Sequence, residues 1–452
     1  MKRIIATVAC VLGAMTAPAV VANTYTVNYL ADLADPNPGD GVCAGNGNTN
    51  FCTLRAAIQT ANAHAGADVI VVPGGTYVLS LHGAGEDNAA TGDLDITDSV
   101  TIQAQTAGVV PVIDGDGADR IFDIKQENLP SYDVTLNGLH LTHGLAGPAG
   151  VLDDEVGGAI RAGSNSALSH LHNFNVLFCI VDNSIASAGG GMFVNDADTV
   201  NMQYLLMFNN RNRNLSPGSG STIASAMYLL TSNIYIAHAA VVRNLPDDTG
   251  SGGADYSAYV LGAVSSYVED STFDNPQLGG LQISSQDSYL NNVTVVDNRM
   301  LTGVSVRGRG SSYSSTLKIR NSIIAGNGTD CAVSQTNGTV TVDVAGPNAD
   351  SDGSCGFQAA GGGMPSVSMA ALRLAPLGNY GLLPSRTPMP GSVAIDAGST
   401  AAVNSGDPSC GQVDQNGVTR PIDGDGSGTA TCDLGAVEYA GDLIFVDDFE
   451  VQ

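Results

Sequence analysis

A short phrase recurs between residues 134 and 327 of this chain. Each copy is an alternating apolar stretch that closes on Asn, or on Gly in the first copy. The copies end GLHLTHG (138–144), LFCIVDN (177–183), YLLMFNN (204–210), HAAVVRN (238–244), EDSTFDN (269–275), NVTVVDN (292–298) and NSIIAGN (321–327). Their ends are 39, 27, 34, 31, 23 and 29 residues apart. A strand-plus-bend unit of this length cannot bury its own apolar face, so it must stack on its neighbours. The closing Asn suits a stacked bend: its side chain hydrogen-bonds along the stack, and Asn tolerates left-handed backbone. The third and fifth residues before it, such as Ile180 and Phe178, Met207 and Leu205, or Val295 and Val293, are expected to point inward.

From Asp68 onward, short strand-like runs (DVIVV, TYVLSL, SVTIQA, VVPVI, RIFDI) are punctuated by Gly, Asp and Asn, with no helical spacer. Their connections are therefore turns rather than helical crossovers. The 56 glycines and only 13% charged residues suit many tight turns. Together these features predict an all-β parallel β-helix with coils about 4.8 Å apart, nine or ten coils making a rod of roughly 45 Å. One helix is expected, in CTLRAAIQTAN (52–62). Leu54, Ala57, Ile58 and Ala61 share a face there and Thr53 is placed to cap it. It would cover the apolar end of the stack.

Residues 1–22 read as a secretory signal peptide: Lys2 and Arg3, an apolar Ile4 to Met15, and small residues before Asn23. No other run is long and apolar enough for a transmembrane helix. Losing Lys2 and Arg3 leaves 15 of the 17 basic side chains against 44 acidic ones, a formal charge of −29. Such a surface repels nucleic acid and anionic lipid. Of eight cysteines, Cys10 falls in the leader. Cys43/Cys52, Cys331/Cys355 and Cys410/Cys432 lie in close pairs outside the repeat phrases, in Gly/Asn/Asp-rich segments. In an exported chain this reads as three local disulfides stapling loop-rich ends. A zinc site is the rival, but CxxC spacing is absent. Cys179 is left as an inert packed thiol. The domains expected are an N-terminal cap (23–66), the β-helix (67–330), a loop-rich C-terminal cap (331–440) and a tail (441–452), in a monomer.

The N-terminal half resembles the exported bacterial CSLREA-domain proteins. The resemblance rests on TYTVNYLADLADPNPGDGVCAGNGNTNFCTLRAAIQTAN, GADVIVVPGGTYVLS, GDLDIT and IDGDGADRIFDI. The family's Glu position is Ala56, so no role passes to a carboxylate there. LPSRTPMPGSVAIDAGS (383–399), DQNGVTRPIDGDGSG and CDLGAVEY are similar to the choice-of-anchor Q domain. IFVDDFE (444–450) is similar to short tails on such proteins, with Asp448 where Gly is usual. The Gly-Gly-Ala-Ile and Gly-Gly-Gly-Met repeats resemble those of polymorphic outer-membrane proteins, without a barrel. The resemblance implies a right-handed parallel β-helix, pectate-lyase-like in form, on the cell surface or in the medium. It brings no catalytic residues.

Two functions are compatible with this reading. One is a non-enzymatic, adhesin-like rod that binds an extracellular glycan. The other is a polysaccharide lyase or glycoside hydrolase acting on acidic polysaccharide. Candidate catalytic acids are Asp153, Asp154 and Glu155 and the pair Asp247/Asp248, though clusters are unavoidable among 44 acids. His140, His143, His170 and His172 are placed to meet across coils; the plainer expectation is imidazoles that hydrogen-bond. Arg299, Arg307, Arg309, Lys318 and Arg320 form the only basic cluster. Arg307/Arg309 and Lys318/Arg320 alternate and are expected to present a stripe to an anionic glycan, or to balance nearby acids. Finally, Asp423, Asp425 and Ser427 alternate and Gly428 stands sixth, the opening of a Ca²⁺ loop of EF-hand type. Leu434 replaces the twelfth-position Glu. Glu438 or Asp433 is the expected substitute, and the Ca²⁺ would be structural, holding the C-terminal region shut.

Overall fold

The computed structural model describes residues 22–83, 85–125, 131–147, 155–163, 171–214, 223–248, 255–308, 314–335 and 338–441. Residues 1–21 of the signal segment, Asp153, Asp154, His170, Arg309 and the tail from 442 lie outside the described residues.

The chain is a parallel β-helix of three sheets. The first sheet begins with Thr24–Thr26, Asp68–Val72, Val100–Ala104, Tyr132–Asn137, Leu171–Leu177 and Ala197–Gln203, each parallel to the next. It continues through parts of the long strands Met227–Ala237, Tyr256–Asp274 and Asp287–Val296 to Ser314–Arg320 and Thr339–Asp343. The second sheet runs from Thr76–Val78 to Ala349–Asp350, and the third from Leu94–Ile96 to Thr329–Ser334. Coils therefore continue to residue 350, past the boundary expected at 330. The phrase stops there, but Val340 and Val342 still present apolar side chains to the stack, and Ala349 packs in a second apolar cluster with Ile323, Leu372 and Leu434.

Two corners explain the repeat. Leaving the first sheet, the chain bends at Gly138, Phe178, Tyr204, His238, Asp270, Asn292 and Asn321, all with positive φ. Six of these seven carry a Cβ, which makes the conformation costly, so the stack and not local preference must hold it. Leaving the second sheet, the closing Asn residues form a buried ladder. Asn210, Asn244, Asn275 and Asn298 each donate their backbone N–H to the Oδ1 of the next Asn, ending on Asn327. Each Nδ2 also donates to a carbonyl one coil back: Asn244 to Met207, Asn275 to Val241, Asn298 to Phe273.

One copy breaks this register. In the 177–183 phrase it is Ser184, not Asn183, that takes the ladder position and receives the Gly144 N–H. Asn183 instead adopts the left-handed bend before it. A one-residue slip exchanges the faces of a strand. Phe178 is accordingly 55% exposed and Ile180 half-buried on the outside, while Cys179 and Val181 fill the core. Met207, Leu205, Val295 and Val293 point inward as expected.

The helix α1 (Leu54–Ala63) is capped by the Thr53 hydroxyl, which accepts from the Ala56 N–H at 3.1 Å. It packs on the first coil with Leu54, Ala57, Ile58 and Ala61 buried. Its opposite face is buried as well. Arg55 is enclosed and reaches both Asp32 oxygens, at 2.6 and 3.1 Å, and the carbonyls of Ala89, Gly92 and Asp93.

The cysteines pair as expected, Cys43 with Cys52, Cys331 with Cys355 and Cys410 with Cys432. Five of the six lie in loops or turns as expected, Cys331 being the exception, and they are more enclosed than a loop setting suggests. Cys52 and Cys355 are both buried members of the central core, and Cys43 and Cys331 pack against it half-buried. The two bridges lie near opposite ends of the stack, where a terminal coil has no further coil to cover it. An apolar cystine is suited to that place. Backbone bonds hold each one in it. The Cys52 N–H donates to the Asn28 side chain at 2.9 Å and its carbonyl accepts from the Asn28 N–H. The Cys355 N–H donates to Asp350 of the last second-sheet strand at 3.0 Å. Cys331 itself belongs to a coil, in the third-sheet strand Thr329–Ser334. Cys410 and Cys432 are buried too. Cys179 is a buried free thiol whose pKa desolvation raises to about 11.

Residues 371–439 do not close the end of the rod. They fold back along the outside of the later coils. Leu383 packs on Leu206, Phe208, Ala240 and Val242 of the second sheet. Asn292 donates to the carbonyls of Asp433 and Gly435, and Thr272 donates to the Gln415 side chain.

Candidate functional site

Outward positions of the first sheet form a row in strict register: Thr135, Asn175, Asn201, Tyr235, Tyr267, Tyr289, Lys318 and Asp343. Polar amides give way to three tyrosines and then to charge. Beside the tyrosines lies a groove of about 610 Å³. Tyr267, Glu269, Asp287, Tyr289, Asn291, Thr316 and Lys318 line its floor, and residues 404–411 wall it.

The wall is fixed to the sheet by side chains that the sequence suggested for ligand binding. Arg320 is almost wholly enclosed. It donates to Asp343 at 2.8 Å and to Asp407 at 2.6 Å. Lys318 Nζ lies 3.4 Å from the same Asp407. Asn291 and Asn321 donate to the carbonyls of Ser409 and Pro408, and Cys410–Cys432 anchors the loop's end. Arg307 lies on the third sheet and Arg299 pairs with Asp297. The expected basic stripe is thus divided, and Arg299, Lys318 and Arg320 balance acids.

The tyrosines differ from the other aromatic rows. Phe178, Tyr204 and His238 stack at 4.6 Å with near-parallel planes, and Phe193 on Tyr228 does the same at 5.3 Å. Those ring faces cover one another. Tyr267 and Tyr289 cross at 65° with centroids 6.0 Å apart, which leaves ring face open to the groove. Glu269, half-buried between them and Tyr235, accepts from the Tyr235 hydroxyl at 3.3 Å. Burial raises its carboxyl above the ordinary range, with Asp270 adding to the effect and the Tyr235 bond opposing it.

Among the described residues, the candidate catalytic acids do not converge on a reacting centre. Glu155 is buried and accepts from the Ser187 hydroxyl at 3.1 Å. Asp248 is bound by Arg211 and Arg213, whose hydrogen bonds hold its carboxyl below the usual range. Asp247 is half-buried beside it. Within the groove, Asp287 lies four residues and one coil from Glu269. That is roughly 14 Å between Cα atoms. The described histidines take the plainer role: His140 meets Asp182 at 3.0 Å, His143 meets Asp114 at 3.2 Å and His172 meets Asp133 at 3.1 Å.

In the C-terminal region, carboxylate oxygens of Asp396, Asp423 and Asp425 lie within 4.8 Å of one another. The sequence identified the last two. Asp396 comes from SVAIDAGS, whereas the expected Glu438 and Asp433 are engaged elsewhere. Glu438 accepts from Arg420 and the Ile422 N–H, and Asp433 from the N–H groups of Asp396 and Tyr439. Ser427 accepts from the Thr429 N–H.

Sequence reasoning missed the tyrosines and Glu269. A signal existed: Tyr235, Tyr267, Tyr289 and Lys318 each stand three residues before a positive-φ corner.

No helix among the described residues is long and apolar enough to cross a membrane. No family model and no curated protein matches the chain. Among solved structures, the crystal structure of pectate lyase Pel9A matches with a TM-score of 0.44 and 12% identity, covering 93% of this chain and 97% of that one.

Proposed function

We propose that this chain is an exported β-helix rod that binds a glycan in the tyrosine-lined groove without cleaving it. The crossed pair Tyr267 and Tyr289 carries this reading, because an open aromatic face beside hydrogen-bonding side chains suits a sugar's apolar face and hydroxyl rim. The CSLREA-like and choice-of-anchor-like motifs and three disulfides support an extracellular setting. Against catalysis stands the engagement of Lys318 and Arg320 by Asp407. Tyr289→Ala and Tyr267→Ala are each expected to weaken oligosaccharide binding roughly tenfold, the equivalent of about 1.4 kcal/mol, with no change in melting temperature. Titration calorimetry against oligosaccharides selected on a glycan array checks this. Unsaturated products or new reducing ends from any polysaccharide would replace it with the enzymatic reading.

The same proposal includes a structural Ca²⁺ held by Asp396, Asp423 and Asp425, neutralising clustered acids in the C-terminal region. Wild-type protein is expected to bind Ca²⁺ in calorimetry and to gain thermal stability. Asp396→Ala with Asp423→Ala is expected to do neither. Equal Ca²⁺ binding by both proteins would remove the site.

A further inference from the structure

We propose that the groove selects glycans carrying free amino groups over neutral or acidic ones. The inference rests on reading the groove as a glycan site and adds the ligand's charge. Three carboxylates face this space, those of Glu269, Asp287 and Asp407. Asp407 is answered by Lys318 at 3.4 Å and Arg320 at 2.6 Å. Glu269 and Asp287 are not: among the described residues, no arginine, lysine or histidine pairs with either. Glu269 bonds only a neutral tyrosine hydroxyl. Two acidic groups thus bracket the crossed tyrosines, while Lys318, which also lines the groove, is directed to Asp407.

Each class of sugar meets this arrangement differently. An acidic polysaccharide brings like charge to Glu269 and Asp287, on a molecule whose formal charge is −27. A neutral sugar gains the tyrosine faces and hydrogen bonds and leaves both charges uncompensated. An ammonium group supplies the missing counter-charge to a half-buried carboxylate, where hydrogen bonds between charged groups are strongest. Tyrosine faces at the same place also attract cations. The spacing adds a further constraint. The Cα atoms of Glu269 and Asp287 stand roughly 14 Å apart, a span suited to an oligomer with amines on successive residues rather than to one amine.

Three hexamers with the same β-1,4-linked backbone isolate the charge: glucosamine, N-acetylglucosamine and glucose. Binding to the purified chain is measured by calorimetry at mildly acidic pH, at low and high salt. The glucosamine hexamer is expected to bind at least roughly tenfold more tightly than the other two, with the preference shrinking as salt rises. Glu269→Gln keeps an acceptor for the Tyr235 hydroxyl, and Asp287→Asn alters an exposed residue. Each is expected to reduce the preference for the glucosamine hexamer several-fold. Equal binding of all three hexamers overturns the charge inference and leaves the glycan reading standing. A lysine hexapeptide that binds as tightly as the glucosamine hexamer overturns the assignment to a sugar. Failure of every hexamer to bind overturns the glycan reading itself.

Discussion

Val181→Asp is expected to unfold the middle of the rod, and Ile180→Asp is expected to be tolerated far better. Val181 is fully buried, in register with Leu141 and Met207 on the coils either side. A carboxylate there has no counter-charge in an interior of Leu, Val and Met, and such burial costs several kcal/mol. In a stacked array the loss spreads to the neighbouring coils, because each buries the next. Ile180 points outward toward Leu206, Phe208 and Leu383, half-covered by the C-terminal region. An Asp there has access to water, and a cost of about 1–2 kcal/mol is expected. Thermal melts and urea titrations of the two variants separate them. Equal destabilisation, or greater damage from Ile180→Asp, would show that the register of this coil is the one suggested by the phrase ending at Asn183.

That slip shows where sequence reading reaches its limit. Spacing of the closing Asn residues revealed stacked coils, because the ladder needs a side chain with both a donor and an acceptor at one corner of each coil. It could not say which residue of Asp182-Asn183-Ser184 occupies the ladder. Asn183 serves the left-handed bend equally well, and Ser184 Oγ can accept the Gly144 N–H in place of an amide. The helix and the disulfide pairing were legible because their determinants are local: a capping Thr53, a 3.6-residue apolar face and cysteines at most 24 residues apart. The burial of Cys52 and Cys355 was not, since Gly, Asn and Asp around them read as loop while the apolar ends they cover belong to other coils. The groove was not legible either. Its floor comes from residues 267–318 and its wall from 404–411, and only folding brings them together. Lys318 and Arg320 looked like a free basic pair because Asp407, nearly 90 residues away, is invisible at that range.

Arg420→Met is expected to release the C-terminal region while the coils stay folded. The Arg420 side chain is fully enclosed where this region meets the rod. It bonds Asp270 at a corner of the first sheet, Glu438 at 3.1 Å, and the carbonyls of Val413 and Gly435. Methionine fills similar space but leaves two buried carboxylates without their cation, a change that costs about 3–5 kcal/mol. Burial already raises Asp270 to about 6, with Arg420 opposing the rise. Burial raises Glu438 in the same way, again against Arg420. The sign of the pH dependence follows. A carboxyl whose folded pKa lies above its ordinary value favours the folded state when protonated, and that contribution fades as pH rises from about 4 through the folded value. Without Arg420 both groups shift further upward. The variant's deficit should therefore be small in acid and grow above about pH 6. Hydrogen exchange across 384–439, followed against pH, reads the release directly, with protection of 100–325 as the internal control. In an Asp270→Asn background the same substitution should cost less, since one of the two stranded charges is gone. Uniform loss of protection over the whole chain, or a deficit independent of pH, would mean that Arg420 does not act as the clasp between the C-terminal region and the rod.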